Sequence, residues 1–265
     1  MNKRIFLVLG IGIVIIILVI ITSLPHKRHI SESIKEEIKP HLLNIEEEKD
    51  LLKAKAILQE NLEKANKPEI MEALKKKLEE VNMKILFSPL IDECSQEYIV
   101  QSKDNLTKIA KKFNTTVELI RRANSLTSDT IMPGQKLKVN MCKFSIAIDK
   151  SLNLLFLKRN GMVMKTYIVS TGKDNSTPIG TFKIVNKLEN PTWFKAGAVV
   201  PPGSPENILG TRWMGLNIIG YGIHGSKDEN EIGKQVTQGC VRMHNKDVEE
   251  LSDIIPLGTE VEIVD

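Results

Sequence analysis

The sequence predicts a multidomain chain. It comprises an N-terminal transmembrane helix, an α-helical hairpin, a small βααβ module and a mainly-β C-terminal domain. Three observations carry this. Residues 5–21 are almost entirely Ile, Val and Leu, with two glycines. Apolar residues recur at three- and four-residue spacings between Leu51 and Ile85, the period of a helix face. From Lys143 onward the texture changes to alternating, β-rich segments separated by turn signals. A chain of 265 residues has room for more than one core.

The apolar segment is long enough to cross a bilayer. No charged residue falls between Ile5 and Pro25; Lys3 and Arg4 precede it, and His26-Lys27-Arg28-His29 follow it. Basic residues on both sides leave the orientation open on the positive-inside rule. A cleaved signal peptide is the rival reading, but its apolar core is shorter and ends at a small-x-small site. Thr22-Ser23-Leu24-Pro25 is a poor version of that site. Residues 1–29 are therefore read as a membrane anchor. The protein is expected to be single-pass with an extracytoplasmic C-terminal domain, or secreted if the N-terminus is cleaved.

Residues 30–93 are rich in Lys, Glu, Leu and Ile. Leu51, Ala54, Leu58, Leu62 and Ala65 form one stripe, Asn66-Lys67-Pro68 breaks it, and Ile70, Leu74, Leu78, Val81 and Ile85 form a second. This is a helical hairpin, with Pro68 suited to the first turn of its second helix. It reads as a docking module or spacer, or equally as a solvated stalk of charged helix.

Residues 97–140 form the small module. Tyr98-Ile99-Val100 reads as a strand, a helix from Asp104-Asn105-Leu106 includes Ile109 and Phe113, Thr116 caps a second helix, and residues 136–139 are the closing strand. This order, with Asn124-x-Leu126 and Ile131-Met132-Pro133-Gly134-Gln135-Lys136-Leu137, resembles a LysM domain. It departs where the family has Gly-Asp-Thr-Leu, reading Lys103-Asp104-Asn105-Leu106 here. The resemblance implies binding of peptidoglycan glycan strands, against a bland reading as a pure spacer.

Residues 143–265 form the β domain, with strands expected over 144–149, 153–157, 163–170, 180–185, 216–223 and 260–264. A helix is expected after Asn245, and residues 187–206 are a long Pro- and Gly-containing insertion of the kind that serves as a lid or binding loop. Near the end stand His224-Gly225-Ser226 and Thr237-Gln238-Gly239-Cys240-Val241-Arg242-Met243. A cysteine is a strong nucleophile as thiolate, and a neighbouring imidazole is the usual means of making one. The bland reading of each is a small buried hydrophobe and a hydrogen-bonded structural imidazole. Cys240-x3-His244 also offers a metal-like spacing, but zinc wants a tighter set of ligands.

Several further segments accompany that stretch: Ser170-Thr171-Gly172 through Thr177-Pro178-Ile179-Gly180-Thr181-Phe182, Pro201-Pro202-Gly203-Ser204, and Asn207-Ile208-Leu209-Gly210-Thr211-Arg212-Trp213-Met214-Gly215-Leu216. In this order, with Ile223-His224-Gly225 and Gly239-Cys240-Val241-Arg242-Met243, they resemble the L,D-transpeptidases of the YkuD family. Gln238 stands two before the nucleophile, where the family often has His.

The resemblance implies a cysteine acyltransferase acting on peptidoglycan stem peptides, serving cell-wall cross-linking and cell shape. Cys240 is then the nucleophile and His224 the general base and acid. The Gly225 carbonyl orients His224, and backbone N–H groups at Gly239 and Cys240 hold the oxyanion. Arg242 is a candidate for substrate carboxylate binding or, equally, a structural ion pair. Trp213 is a candidate substrate-binding residue that more naturally shapes the fold or lid. No metal or organic cofactor is implied. In a LysM-like module the terminal strands pair antiparallel, so Cys94 and Cys142 leave one edge together and are expected to form a disulfide, leaving Cys240 as the free thiol.

The same chemistry with water gives an L,D-carboxypeptidase, and with a protein amine it attaches proteins to the wall. A non-catalytic peptidoglycan-binding protein is the reading from a different class. The formal net charge of +4 and an aromatic content of 5%, without an arginine-rich segment, exclude a nucleic-acid partner.

Overall fold

The computed structural model describes residues 50–195 and 197–265. The expected anchor over 1–29 and the first part of the hairpin region, 30–49, lie outside the described residues. Among the described residues no helix is long and apolar enough to cross a membrane.

The chain enters as two helices, α1 (Leu51–Lys64) and α2 (Pro68–Leu86). Asp50 caps α1, its carboxylate accepting from the Leu52 amide at 3.0 Å, which satisfies an otherwise unpaired donor. Pro68 opens α2, where the amide it lacks is not needed. Ala54, Leu58, Ile70, Leu74, Val81 and Ile85 form the hairpin's own core. α2 has a second buried side: Met83 and Leu86 join the core of the C-terminal domain, and Thr166 donates to Glu79 at 2.6 Å. The solvated-stalk reading is thus corrected for α2. Met83 and Leu86 lie off the stripe that identified the helix and bury against a partner that periodicity does not reveal.

The small module follows as β1 (Ser95–Ile99), α3 (Leu106–Lys112), α4 (Val117–Ala123) and β2 (Lys136–Asn140). Asn105 and Thr116 cap its helices, accepting from Lys108 N at 2.8 Å and Leu119 N at 2.9 Å. β1 and β2 pair antiparallel with Ser95 opposite Asn140. Cys94 and Cys142, just outside that pair, are joined as a disulfide with Cα atoms 5.1 Å apart.

Polar groups lock this module to both neighbours. Lys138 in β2 donates to the Ile85 and Ser88 carbonyls at 2.6 and 3.0 Å, meeting the C-terminal end of α2. Burial pushes its pKa down to about 8. Thr116 donates to the Asp253 carbonyl, and the Arg122 guanidinium lies 3.5 Å from the Phe87 ring centroid while pairing with Asp253 at 2.9 Å.

The C-terminal domain contributes β3 (Phe144–Asp149), β4 (Leu154–Arg159), β5 (Met162–Ile168), β6 (Thr171–Gly172), β7 (Gly180–Glu189), β8 (Trp193–Lys195), β9 (Ala198–Val200), β10 (Arg212–Leu216), β11 (Gly222–His224), β12 (Gln235–Thr237), β13 (Val241–Arg242), α5 (Asn245–Ile254) and β14 (Glu260–Val264). Eight strands form one sheet in the order β13-β11-β10-β7-β14-β3-β4-β5, while β6 pairs with β12 and β8 with β9. Within the eight-stranded sheet neighbours are antiparallel except β11 with β13 and β14 with β3, and β6 also runs parallel to β12. α5 buries Val248, Leu251 and Ile254 in the core cluster that includes Met214, Ile223 and Val241.

Two expectations are corrected here. The strand read over 216–223 is two strands joined by a turn, with Leu216 N bonded to Tyr221 O at 3.0 Å and Gly220 at φ +84°. The apolar pair Ile218-Ile219 disguises that turn, and Ile219 is 100% exposed. The insertion over 187–206 is not one long loop. β7 runs through Glu189, and β8 and β9 form a hairpin with Trp193 opposite Val200. Asn207, buried, donates to the Pro191 carbonyl at 2.8 Å and to Pro201 at 3.2 Å, closing the hairpin's base. Its outer part leaves Phe194 75% exposed.

Candidate active site

The site lies at the β13 edge of the large sheet. His224 ends β11 and is 2% exposed. Its Nδ1 stands 2.7 Å from the Gly225 carbonyl oxygen. A carbonyl only accepts, so in the neutral ring Nδ1 carries the proton and Nε2 keeps its lone pair. Burial pushes the imidazole pKa down to about 4. The Gly225 carbonyl opposes that, the Arg242 charge adds to it, and the Leu209 carbonyl also opposes it.

Cys240 immediately precedes β13. The parallel pairing of Ile223 with Val241 sets Cys240 beside Gly222, one step back along both strands. Side chains two apart on a strand share a face, so His224 and Cys240 project from the same side of the sheet edge. Cys240 Sγ lies 3.4 Å from the Gly220 carbonyl, and Cys240 is the free cysteine among the described residues. Burial raises its thiol pKa; the Gly222 backbone and the Arg242 charge lower it by less. At neutral pH the resting pair is therefore a neutral thiol and a neutral imidazole.

The loop carrying Cys240 is held by Thr237. Its hydroxyl accepts from the Gly239 amide at 3.2 Å and donates to the Cys240 carbonyl at 2.6 Å. The Gly239 amide, expected to line an oxyanion hole, is thus turned into the loop. Gly239 sits at φ +126°, and a Cβ there would stand 2.6 Å from Tyr221 Cε1. The position needs glycine for conformation and for space.

Arg242 pairs through Nη1 with Glu231, and its backbone bridges to Ser170 at 2.9 and 2.8 Å. Nη1 is thus engaged in an ion pair, while the buried Nε has no hydrogen-bond partner among the described residues. The Trp213 ring stacks on His224 with centroids 5.8 Å apart and planes 24° apart, and its Nε1 donates to Asn186 at 3.0 Å. Gly222 permits this, since a Cβ there would meet the indole at 2.7 Å. His244 precedes α5 with Nδ1 3.6 Å from Glu229. Among the described residues no group of His, Cys, Asp and Glu could hold a metal ion.

Sequence reasoning missed Thr237 and Asn245. Asn245 Oδ1 accepts from Thr211 N at 3.1 Å and Ser226 N at 3.3 Å, and its Nδ2 donates to the Ser226 carbonyl at 2.8 Å. The available signals were a hydroxyl three residues before a cysteine and an asparagine at a helix start, where such side chains bond to nearby backbone.

Residues 143–263 match the family profile described as L,D-transpeptidase catalytic domain (YkuD), and residues 98–140 match the LysM domain. A Bacillus subtilis protein named as the L,D-transpeptidase YkuD is 36% identical over 173 residues, covering 63% of this chain and 97% of that protein. The chain belongs to the YkuD family of L,D-transpeptidases. A second Bacillus subtilis relative, named as the L,D-transpeptidase YqjB, is 42% identical over 126 residues, 45% of this chain and 70% of that one. Among solved structures, an L,D-transpeptidase from Mycobacterium smegmatis aligns over 50% of this chain and 64% of its own at TM-score 0.41 and 19% identity. In this L,D-transpeptidase domain, His224, Gly225 and Cys240 come from two adjacent strand ends.

Proposed function

We propose that this chain is a peptidoglycan L,D-transpeptidase in which Cys240 and His224 carry an acyl transfer between stem peptides. The observation that carries the reading is the 2.7 Å contact of His224 Nδ1 with the Gly225 carbonyl, which leaves Nε2 as a base on the face shared with Cys240. The Cys240 sulfur attacks the carbonyl of the third residue of a stem tetrapeptide while Nε2 takes the thiol proton. The oxyanion that forms is held by backbone amides; the Cys240 amide is the nearest candidate, because the Gly239 amide is engaged by Thr237. The C–N bond to the terminal D-alanine breaks, His224 returns the proton to the leaving amine, and a thioester remains. An amine of a neighbouring stem then attacks the thioester, giving up a proton through His224 as the sulfur leaves. Gly225 orients the imidazole, the third role in a triad.

The LysM module holds glycan strands of the same polymer. Residues 5–21 anchor the chain in the membrane with both wall-directed domains outside. The Cys94–Cys142 disulfide supports that placement, since disulfides persist in oxidising compartments. The β8–β9 hairpin, with Phe194 exposed, serves as a substrate-binding flap.

The test is the intact mass of the full chain after incubation with a carbapenem, an acylating mimic of the donor. An adduct that disappears in Cys240→Ala supports the assignment. A folded wild-type protein that takes up no adduct overturns it.

A further inference from the structure

We propose that Asn245 is a positioning residue for His224: its carboxamide pins the peptide on which the proton of Nδ1 depends. The inference rests on the transpeptidase reading of His224 as the base and adds the residue that makes it one.

The argument starts from what a carbonyl orienter requires. Gly225 selects the tautomer only while its oxygen stays in line with Nδ1, at 2.7 Å. Gly225 lies just beyond β11; its own amide still donates to the Arg212 carbonyl at 3.1 Å, but the following peptide, which carries the Gly225 oxygen, lies past that bond. The restraint comes from Asn245, the first residue of α5. Its Oδ1 accepts from Ser226 N at 3.3 Å, the N–H of the same peptide unit as the Gly225 carbonyl, and its Nδ2 donates to Ser226 O of the next peptide at 2.8 Å. The same Oδ1 accepts from Thr211 N at 3.1 Å and Thr211 Oγ1 at 3.4 Å. One carboxamide thus ties the exit of β11 to the segment 209–211, whose Leu209 carbonyl also faces the imidazole.

The surroundings are shaped for this approach. A Cβ on Gly225 would stand 2.2 Å from Asn245 Oδ1, and one on Gly210 would stand 2.3 Å from it. Two glycines from separate segments, one before β10 and one after β11, therefore leave the room that Asn245 fills. An alanine at 245 would free the Gly225 peptide to rotate, after which either ring nitrogen could carry the proton.

The experiment uses the full chain in detergent with 15N-labelled histidine, taking the His224 signals from their loss in His224→Gln. Nitrogen shifts identify the tautomer, and carbapenem acylation of Cys240 gives rate and saturation constants. The expected result is an Nδ1–H tautomer in the wild type. In Asn245→Ala, with a retained melting transition, the expected result is a shift towards Nε2–H. The limiting acylation rate should fall roughly a hundredfold, as for a misplaced catalytic group, while the saturation constant changes less than about threefold. A folded Asn245→Ala that keeps Nδ1–H and the wild-type rate overturns the proposal, as does an Nε2–H tautomer in the wild type. Should Asn245→Ala not fold, Asn245→Ser keeps a polar helix-start residue but is too short to reach Ser226; the same shift supports the pin and an unchanged tautomer overturns it. A wild type with the Nδ1–H tautomer that never releases D-alanine sinks the transpeptidase reading and leaves the pin standing.

Discussion

The hydroxyl of Thr237 donates to the carbonyl of Cys240 at 2.6 Å while accepting from the Gly239 amide between them. The turn from Thr237 to Cys240 is thereby closed on itself, and the thiol is presented from a fixed backbone. Replacing Thr237 with valine keeps the volume and leaves a buried amide and carbonyl without their partner. Each such group costs about 1–3 kcal/mol, so Thr237→Val should lower the unfolding free energy by about 2 kcal/mol in urea titration. Carbapenem acylation should slow by about tenfold as the loop loosens.

His224 gives the protein a pH-dependent stability. Its folded pKa, pushed to about 4 by burial, lies below the ordinary 6.5, so the unfolded chain binds the proton first. Its contribution is fully present above pH 6.5 and is lost as pH falls towards about 4, by on the order of 3 kcal/mol. Urea titrations at pH 7 and pH 4.5 should show a larger loss for wild type than for His224→Gln. Equal losses would show that His224 is not buried as a neutral ring.

Arg159 and Asp92 form a buried ion pair across the junction of the small module and the β domain, with Nη1 2.6 Å from the carboxylate. Burial pushes the Asp92 carboxyl up, and hydrogen bonds from Arg159 and Ser95 more than offset it, holding it below the usual carboxylate range. Arg159 also donates to Asn140 at 2.7 Å and to the Cys94 carbonyl at 2.8 Å. Arg159→Leu strands the Asp92 charge and should cost about 3–5 kcal/mol. The double variant Arg159→Leu with Asp92→Leu should recover much of that in thermal unfolding.

The Cys94–Cys142 bridge spans 48 residues. On the chain-entropy relation a loop of that size adds about 4 kcal/mol. Denatured, unreduced protein should titrate one thiol and reduced protein three. Reduction should lower the melting temperature while Cys240 still forms its adduct. Three thiols without reductant would contradict the bridge.

Much of this architecture was legible because it rests on local rules. The stripes from Leu51 to Ala65 and from Ile70 to Ile85 reported the hairpin, and the antiparallel ends of a LysM-like module brought Cys94 to Cys142. What stayed hidden depends on tertiary partners. Met83 and Leu86 look like surplus apolar residues until β5 stands beside them. Arg242 offers the same guanidinium to a substrate or to Glu231, and only the fold brings Glu231 to it. The role of Asn245 requires Gly210 and Gly225, distant from it in sequence, to approach it from two connecting segments.

The most direct measurement is mass-spectrometric product analysis of purified disaccharide-tetrapeptide incubated with the full chain. A transpeptidase using Cys240 releases D-alanine and yields cross-linked dimers joined through the third residue, and Cys240→Ala yields neither. Release of D-alanine without dimers would assign a carboxypeptidase instead, and intact substrate beside a folded wild-type protein would contradict acyl transfer at Cys240.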